Sequence, residues 1–481
     1  MFKTLPFLAG LLMAQLALFA QNYHAVNGSS FAGSLGVGNN PASIVNTPFA
    51  WDIDVFSVQV KPATNAVTLH KYSLLSFGGT AEYQFDKGNY ARMMQANANV
   101  NLLNTRIALS RRAAIAGGIN IRSYSNLKTS PYAFADTLKS AQAFFIMNGG
   151  NTNYSADMTS SSWLELFGTY AQTIVDNERS RLNAGITVRA SRGLAGGHAR
   201  LISGEVERVV ENGQQKFVLR NAAAHYGYSS NIDGWKKEKG SKQNINDFVK
   251  NSQGGASFDV GVEYLIKPHV IADFNDPADR YYDYDWKIGI SILDIGFNQY
   301  KYSNNSRIVK GFRGEVTDMD LDKKFNNIHG IAGFNDSLAT IVNSMGRLTG
   351  NFNVINPMRV VVNVDRYLFD AFYINADVSI NLSPLAGDQR LYVKETNLVA
   401  VTPRWETRNW GFYMPVLYNT EKQLRIGGAV KAGPLLLGIH NWATLFAKNR
   451  MQNGGGYLAL VIRAGRDSEH RRNKAYDCPP Y

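Results

Sequence analysis

Stretches of about ten residues in which apolar and polar side chains alternate recur along this chain. Over 181–190, Leu182, Ala184, Ile186, Val188 and Ala190 are separated by Asn183, Gly185, Thr187 and Arg189. Over 256–264, Phe258, Val260, Val262 and Tyr264 oppose Ser257, Asp259, Gly261 and Glu263. Trp286, Ile288, Ile290 and Ile292 oppose Lys287, Gly289 and Ser291, and Phe372, Ile374, Ala376, Val378, Ile380 and Leu382 oppose Tyr373, Asn375, Asp377, Ser379 and Asn381. Trp410, Phe412, Met414, Val416 and Tyr418 share a face, and Leu424, Ile426 and Val430 oppose Arg425 and Lys431. A period of two is the signature of strands. The half-buried strand of a soluble sandwich also alternates. Here the polar face carries charges on strand after strand, and aromatics such as Trp286, Tyr264, Trp410 and Tyr418 stand at strand ends, as in an interfacial girdle. The pattern therefore predicts an all-β fold, a transmembrane antiparallel β-barrel.

Walking back from a last strand near 457–464 that descends to the periplasm, short links near Gly433, Thr407, Leu368, 176–180 and Arg111 fall on one side. Long excursions at 383–395, 303–356, 194–255 and 124–162 fall on the other, as expected of periplasmic turns and outer loops. The aspartate-rich connection 268–283 is long for a periplasmic turn; it is an exception, or a strand near it has been miscounted. The same walk makes 72–85 the first rising strand and leaves 51–60 before the regular count or as an extra edge.

No run beyond residue 20 approaches the roughly 18 apolar residues of a membrane helix. The first twenty residues, with Lys3 before an apolar stretch, have the layout of a signal peptide, with cleavage expected after Ala20. The chain thus divides into a signal peptide (1–20), a hatch or plug (21–49), a barrel (50–465) and a basic periplasmic tail (466–481). Residues 21–48 are rich in Gly, Asn and Ser and do not alternate, so they suit the barrel mouth better than its wall. A mean hydropathy of −0.22 fits a barrel, whose lumen-facing residues offset the lipid-facing ones. The single Cys478 excludes an internal disulfide and a cysteine metal cluster. The net charge of +12 points, in an exported protein, to lipopolysaccharide phosphates or anionic solutes rather than nucleic acid.

The stretch GSSFAGSLGVGNNPASI resembles the N-terminal hatch of the FadL-like superfamily of long-chain fatty acid transporters, with Asn40, Pro41 and Ala42 on its Asn-Pro-Ala box. FDVGVEYLI, KIGISILDIGFNQY, TPRWETRNWGFYMPVLYN and LRIGGAVKAGPLLLGIHN resemble an uncharacterised barrel family of Bacteroidota, distantly similar to FadL-like and PorV-like proteins. The resemblance implies an outer-membrane barrel of about 14 strands with no assigned chemistry. It leaves two functions open. One is passage of a small hydrophobic molecule past the hatch. The other is a non-transporting scaffold or partner of type IX secretion.

The eight histidines lack zinc-hydrolase spacing, and no GxSxG elbow, phosphate loop or dinucleotide fingerprint occurs, so neither an enzyme nor a cofactor is expected. Asp318, Asp320 and Asp322 imitate the start of a calcium loop, but Lys323 replaces its glycine and His329 its closing glutamate. An aspartate cap before a short helix at 321–328 is the expectation. Asp273, Asp276, Asp279, Asp283 and Asp285 ring a cation or, by default, solvate a turn. The alternation nominates Arg189, Asp259, Glu263, Lys287, Arg359, Asp365, Asp377, Arg404, Arg425 and Lys431 as lumen-facing. Such charges either fill the interior as ion pairs or line a solute path.

Overall fold

The computed structural model describes residues 24–71, 82–135, 138, 140–149, 152–235, 238–268, 284–387, 389–446 and 452–463. Fourteen antiparallel staves close into a ring. They are β1 (Trp51–Thr64), β2 (Gly88–Ala108), β3 (Ala113–Phe134), β4 (Ala156–Asp176), β5 (Ser180–Glu211), β6 (Gly254–Ile266) and β7 (Trp286–Lys301). They continue with β8 (Arg359–Phe369), β9 (Phe372–Asn381), β10 (Leu398–Glu406), β11 (Trp410–Tyr413 prolonged by Val416–Asn419), β12 (Leu424–Ile426 prolonged by Gly428–Ala432), β13 (Leu435–Ile439) and β14 (Gly456–Arg463). β14 pairs with β13 through Leu460↔Leu435 and with β1 through Ile462↔Ile53, and β1 pairs with β2 through Val58↔Val100. Closure leaves no wall edge open to another chain.

The period of two sorts side chains between two environments. On β6, Phe258, Val260, Val262, Tyr264 and Ile266 are exposed outward while Ser257, Asp259 and Glu263 are buried inward. β5 repeats this with Ile186 and Val188 outside and Asn183, Thr187 and Arg189 inside. Trp51, Tyr264, Trp286, Phe369, Phe372 and Trp410 stand exposed near the short-turn end, forming an aromatic girdle. A closed ring with a polar interior and an apolar exterior lets the strands of the wall pair on both sides, the condition for crossing a bilayer with strands. The fold places the protein in an outer membrane.

The short connections 109–112, 177–179, 370–371, 407–409 and 433–434 lie at one end. At 370–371 both residues have positive φ (42° and 68°), the primed geometry that matches strand twist. At the other end β2 to β5 run on for 21, 22, 21 and 32 residues, well beyond the roughly 9–11 that span a membrane. The excursions expected at 124–162 and 194–255 are thus in part continuing strand. The tip of β5 pairs with Gln214–Tyr228, which pairs in turn with Arg307–Phe312 and Val316–Thr317. Helices α1 (Ala141–Met147), α3 (Asp318–Phe325) and α4 (Gly330–Ala339) join that small sheet, whereas α2 (Ser241–Lys250) stands apart beside β5. Phe145, Val206, Phe217, Val309, Val316, Leu321, Phe325 and Ile341 form the core of this outer cap.

Two expectations require correction. Trp51–Thr64 is a full stave that closes the ring, not an extra edge; of the first rising strand expected at 72–85, residues 72–81 lie outside the described residues and Glu82–Phe85 pairs with Val67–His70 in a separate two-stranded sheet. The walk failed there because β1 carries Asp52, Asp54, Ser57 and Gln59 inward while Lys61 and Pro62 blur its end. The long 267–285 connection is the exception rather than a miscounted strand, because β6 and β7 pair directly from Ile266↔Trp286 onward. Helix α3 starts at Asp318, three residues ahead of the expected start, and is capped by Thr317 with Asp320 in a reciprocal box. The signal peptide, the basic tail, Cys478, Asp273, Asp276, Asp279 and Asp283 lie outside the described residues.

Candidate functional site

Residues 24–49 lie inside the ring as three 3-10 turns, His24–Val26, Gly33–Gly36 and Pro41–Val45. The sequence folds this way because glycine, asparagine and proline favour turns, and backbone groups that pair with no strand find partners on the lumen side chains. Arg106 donates to the carbonyls of Ile44 and Phe49 at 2.7 Å each. Ser291 Oγ donates to Asn39 O at 2.7 Å, Arg359 Nη2 to Gly38 O at 3.2 Å, and Ser34 N to Asp52 Oδ1 at 2.7 Å.

Asn40, Pro41 and Ala42 lie directly against the wall. Asn40 caps the third turn through its Oδ1, which accepts from Ala42 N at 2.9 Å, and its Nδ2 donates to Val262 O at 3.0 Å. Beneath them lie Gly185, Gly261 and Gly289 on β5, β6 and β7. A Cβ at Gly185 would stand 2.6 Å from the Pro41 carbonyl carbon, and one at Gly261 2.2 Å from Asn40 Oδ1. The wall is hollowed where the segment docks, and only glycine permits that approach. Their alternation places these glycines on the polar face without a role; nothing in one chain links them to a segment between about 140 and 250 residues upstream.

The nominated charges gather into two networks and a few satellites. Near the short-turn end, Arg404 grips Asp365 with both terminal nitrogens (2.5 and 2.8 Å) and reaches Glu406 through Nε at 3.2 Å. Glu406 also accepts from Lys431 at 2.9 Å, Tyr413 at 2.5 Å and Ser29 of the internal segment at 2.6 Å. Tyr284 donates to Asp365 at 2.5 Å. In the second network Arg189 pairs with Asp259 at 2.5 Å and Glu165 at 3.3 Å, while Asp294 binds both Arg122 and Arg359. Glu395 stands 3.8 Å from Lys61 and 4.0 Å from Arg359. Asp377 accepts from Asn27 at 3.0 Å beside His24, and Lys287 lies between Glu263 and Ser30. Arg425 is half-buried and donates to Gln423; no ion pair reaches it among the described residues. Bidentate geometry and supplementary hydroxyl donors offset the cost of taking such charges out of water.

Glu165, Arg122, Asp294 and Glu395 were missed. Glu165 sits between Leu164 and Leu166, an alternation that was readable once the strand was extended upward. Asp294 was not, because it occupies a bulge with φ +61° that breaks the period.

Apolar contacts complete the filling. Ala25, Val26, Ala32 and Leu35 pack on Tyr413, Ala429, Leu436, Ala459 and Val461, whereas Val37 and Ile44 pack on Ala114, Ala116, Phe167 and Ala171. Above them Tyr124, Trp163, Tyr300 and Phe352 form an aromatic layer. Among the described residues, cavities beside the segment include two of about 20 and 40 Å³, room for one or a few waters. Among the described residues no group of three or more His, Cys, Asp or Glu is placed to hold a metal ion.

Solved structures similar to this chain include the toluene transporter TbuX of Ralstonia pickettii, at 10% identity and TM-score 0.40, over 94% of this chain and 99% of the other. A FadL homologue of Pseudomonas aeruginosa also scores 0.40 at 10% identity (92% and 97%), and a TodX monoaromatic hydrocarbon channel variant 0.41 at 8% (92% and 97%). Likenesses this distant carry no functional argument. No curated protein matches the chain. A family of unknown function, DUF5723, matches residues 41–439, and the chain belongs to that family.

Proposed function

We propose that the protein is an outer-membrane channel closed by its own residues 24–49, and that displacement of this plug opens a path for a small, largely apolar molecule. The observation that carries the reading is how the plug is held. Its ties to the wall are separate hydrogen bonds, neutral at Asn39 and Asn40 and to a charged side chain at Ser29, Ser34, Gly38, Ile44 and Phe49, which water can replace at a net cost of about 1 kcal/mol each where neutral and about 1.5–3 kcal/mol where charged. Its apolar side covers Ala429, Leu436, Ala459 and Val461, and a solute entering as the plug moves would find that strip beneath the aromatic layer. Deleting residues 31–44 should leave a heat-modifiable barrel that is leaky to small solutes in liposome swelling and single-channel recording.

A second reading is a non-transporting scaffold, a PorV-like partner of a secretion machinery. The two water-sized cavities beside the segment and the separately cored outer cap favour it. An assembled deletion variant that conducts no more than the parent protein would sink the channel reading and favour the scaffold.

A further inference from the structure

Helix α2 and the turn before it present apolar groups to the outside. Trp235 is 52% exposed, Ile245 52% and Val249 42%. The other side of the helix is spoken for: Asn244 is buried, and Phe248 packs edge-on against Trp235 with ring centroids 6.1 Å apart. Ile245 and Val249, one turn apart, therefore form a free apolar edge. Its position is fixed by two contacts with β5. Arg192 Nη1 donates to Ser252 O at 3.3 Å, and Gly193 N donates to Gln253 O at 2.9 Å. Arg192 continues the outward-facing series Ile186, Val188 and Ala190. The helix thus sits beside the wall where the lipid-facing series ends in a cation, on the long-loop side that belongs to the outer leaflet.

Charge points the same way. Residues 235–253 contain five lysines against Glu238 and Asp247. Lys239 is engaged with Asp247 at 2.5 Å, while Lys242 and Lys250 are exposed and make no ion pair among the described residues. An apolar edge flanked by free lysines and continuous with a lipid-facing wall fits an interface that is apolar below and anionic above.

We propose that α2 is an interfacial anchor. Trp235, Ile245 and Val249 lie in the outer leaflet at the boundary between acyl chains and head groups, and Lys242 and Lys250 bind the phosphates of the phosphorylated glycolipid of that leaflet. The inference stands whether or not the interior conducts.

The test uses the full chain with Cys478→Ser and single spin labels at Ile245→Cys, Val249→Cys or Gln243→Cys, reconstituted in phosphatidylethanolamine vesicles with and without lipid A. Labels at 245 and 249 should be accessible to oxygen, shielded from a polar nickel relaxant and about 5–10 Å below the phosphates, whereas the label at 243 should meet the nickel reagent freely. Equal nickel access at all three positions would overturn the anchor. The paired change Lys242→Glu with Lys250→Glu should lower lipid A phosphate co-purifying with the heat-modifiable barrel several-fold. Unchanged lipid A would overturn the phosphate assignment.

Discussion

Inside the ring, the largest fully buried side chains include Arg106, Arg359, Lys287 and Lys431, whereas the outer cap closes over Phe145, Phe217, Val309, Leu321 and Phe325. One chain buries charge in one region and hydrocarbon in the other. The difference follows from what surrounds each. Lipid around the wall takes the apolar residues of every strand, so the alternate positions must be polar and must satisfy one another inward. Above the membrane the surroundings are water, and the ordinary preference for an apolar core returns. The interior is therefore held by directional bonds between charges, and the cap by the area it removes from water.

The sharpest way to break that contrast is to leave an interior charge without its partner. Arg404→Met leaves buried Asp365 without its cationic partner and Glu406 with Lys431 alone, and should destabilise the barrel by about 3–5 kcal/mol, read as a lower urea midpoint for unfolding in lipid. Adding Asp365→Asn should recover part of the loss. A shift below about 1 kcal/mol would mean that the interior solvates carboxylates as well as a surface does.

A smaller effect locates the boundary between the two regions along one strand. Ile186 and Ile202 both lie exposed on β5, 45% and 57% respectively, sixteen residues apart. Ile186→Arg should cost about 2–4 kcal/mol near the bilayer midplane. Ile202→Arg, beyond the membrane, should change stability by less than about 0.5 kcal/mol. Equal costs in the bilayer would show that lipid reaches the cap or that Ile186 does not face lipid.

How much of this was legible in the sequence follows the same division. The period of two disclosed the facing of β5, β6, β7 and β9, because lipid and lumen impose opposite chemistry on neighbours, whereas the count of about fourteen staves was implied by the family resemblance. It nominated Asp365, Arg404 and Lys431, which fall on regular strands. It could not reveal Asp294, whose bulge shifts the period, nor the inward face of β1, where an irregularity between Asp54 and Phe56 shifts the inward set from Asp52 and Asp54 to Ser57 and Gln59. Apart from the short helix expected at 321–328, the cap was read as loop. Its short strands pair with segments distant in sequence, such as Gln214–Tyr228 with Arg307–Phe312, and its helices are eight or ten residues long at most.

The smallest expected effect is in the cap itself, where polar groups trim an apolar core rather than build it. Thr317 Oγ1 accepts from Asp320 N at 3.3 Å, and Asp320 Oδ2 accepts from Thr317 N at 3.0 Å and from its hydroxyl at 2.9 Å. Thr317→Ala should cost the first turn of α3 about 0.5–2 kcal/mol, read as faster amide exchange in 317–325 with the barrel's urea midpoint unchanged. The donors from Thr317 hold the Asp320 carboxyl below the usual carboxylate range. A depressed folded value means that the carboxylate's contribution is present above the unfolded value and is lost as pH falls through the folded one. Acidification should therefore lower the protection of the α3 amides in the parent protein, while the bond from Asp320 N to Thr317 Oγ1, which does not depend on the carboxylate, keeps it above that of Thr317→Ala. A shift of the barrel's midpoint in parallel with the change in α3 exchange would mean that cap and ring unfold as one unit, and the contrast between the two regions would hold for their chemistry but not for their stability.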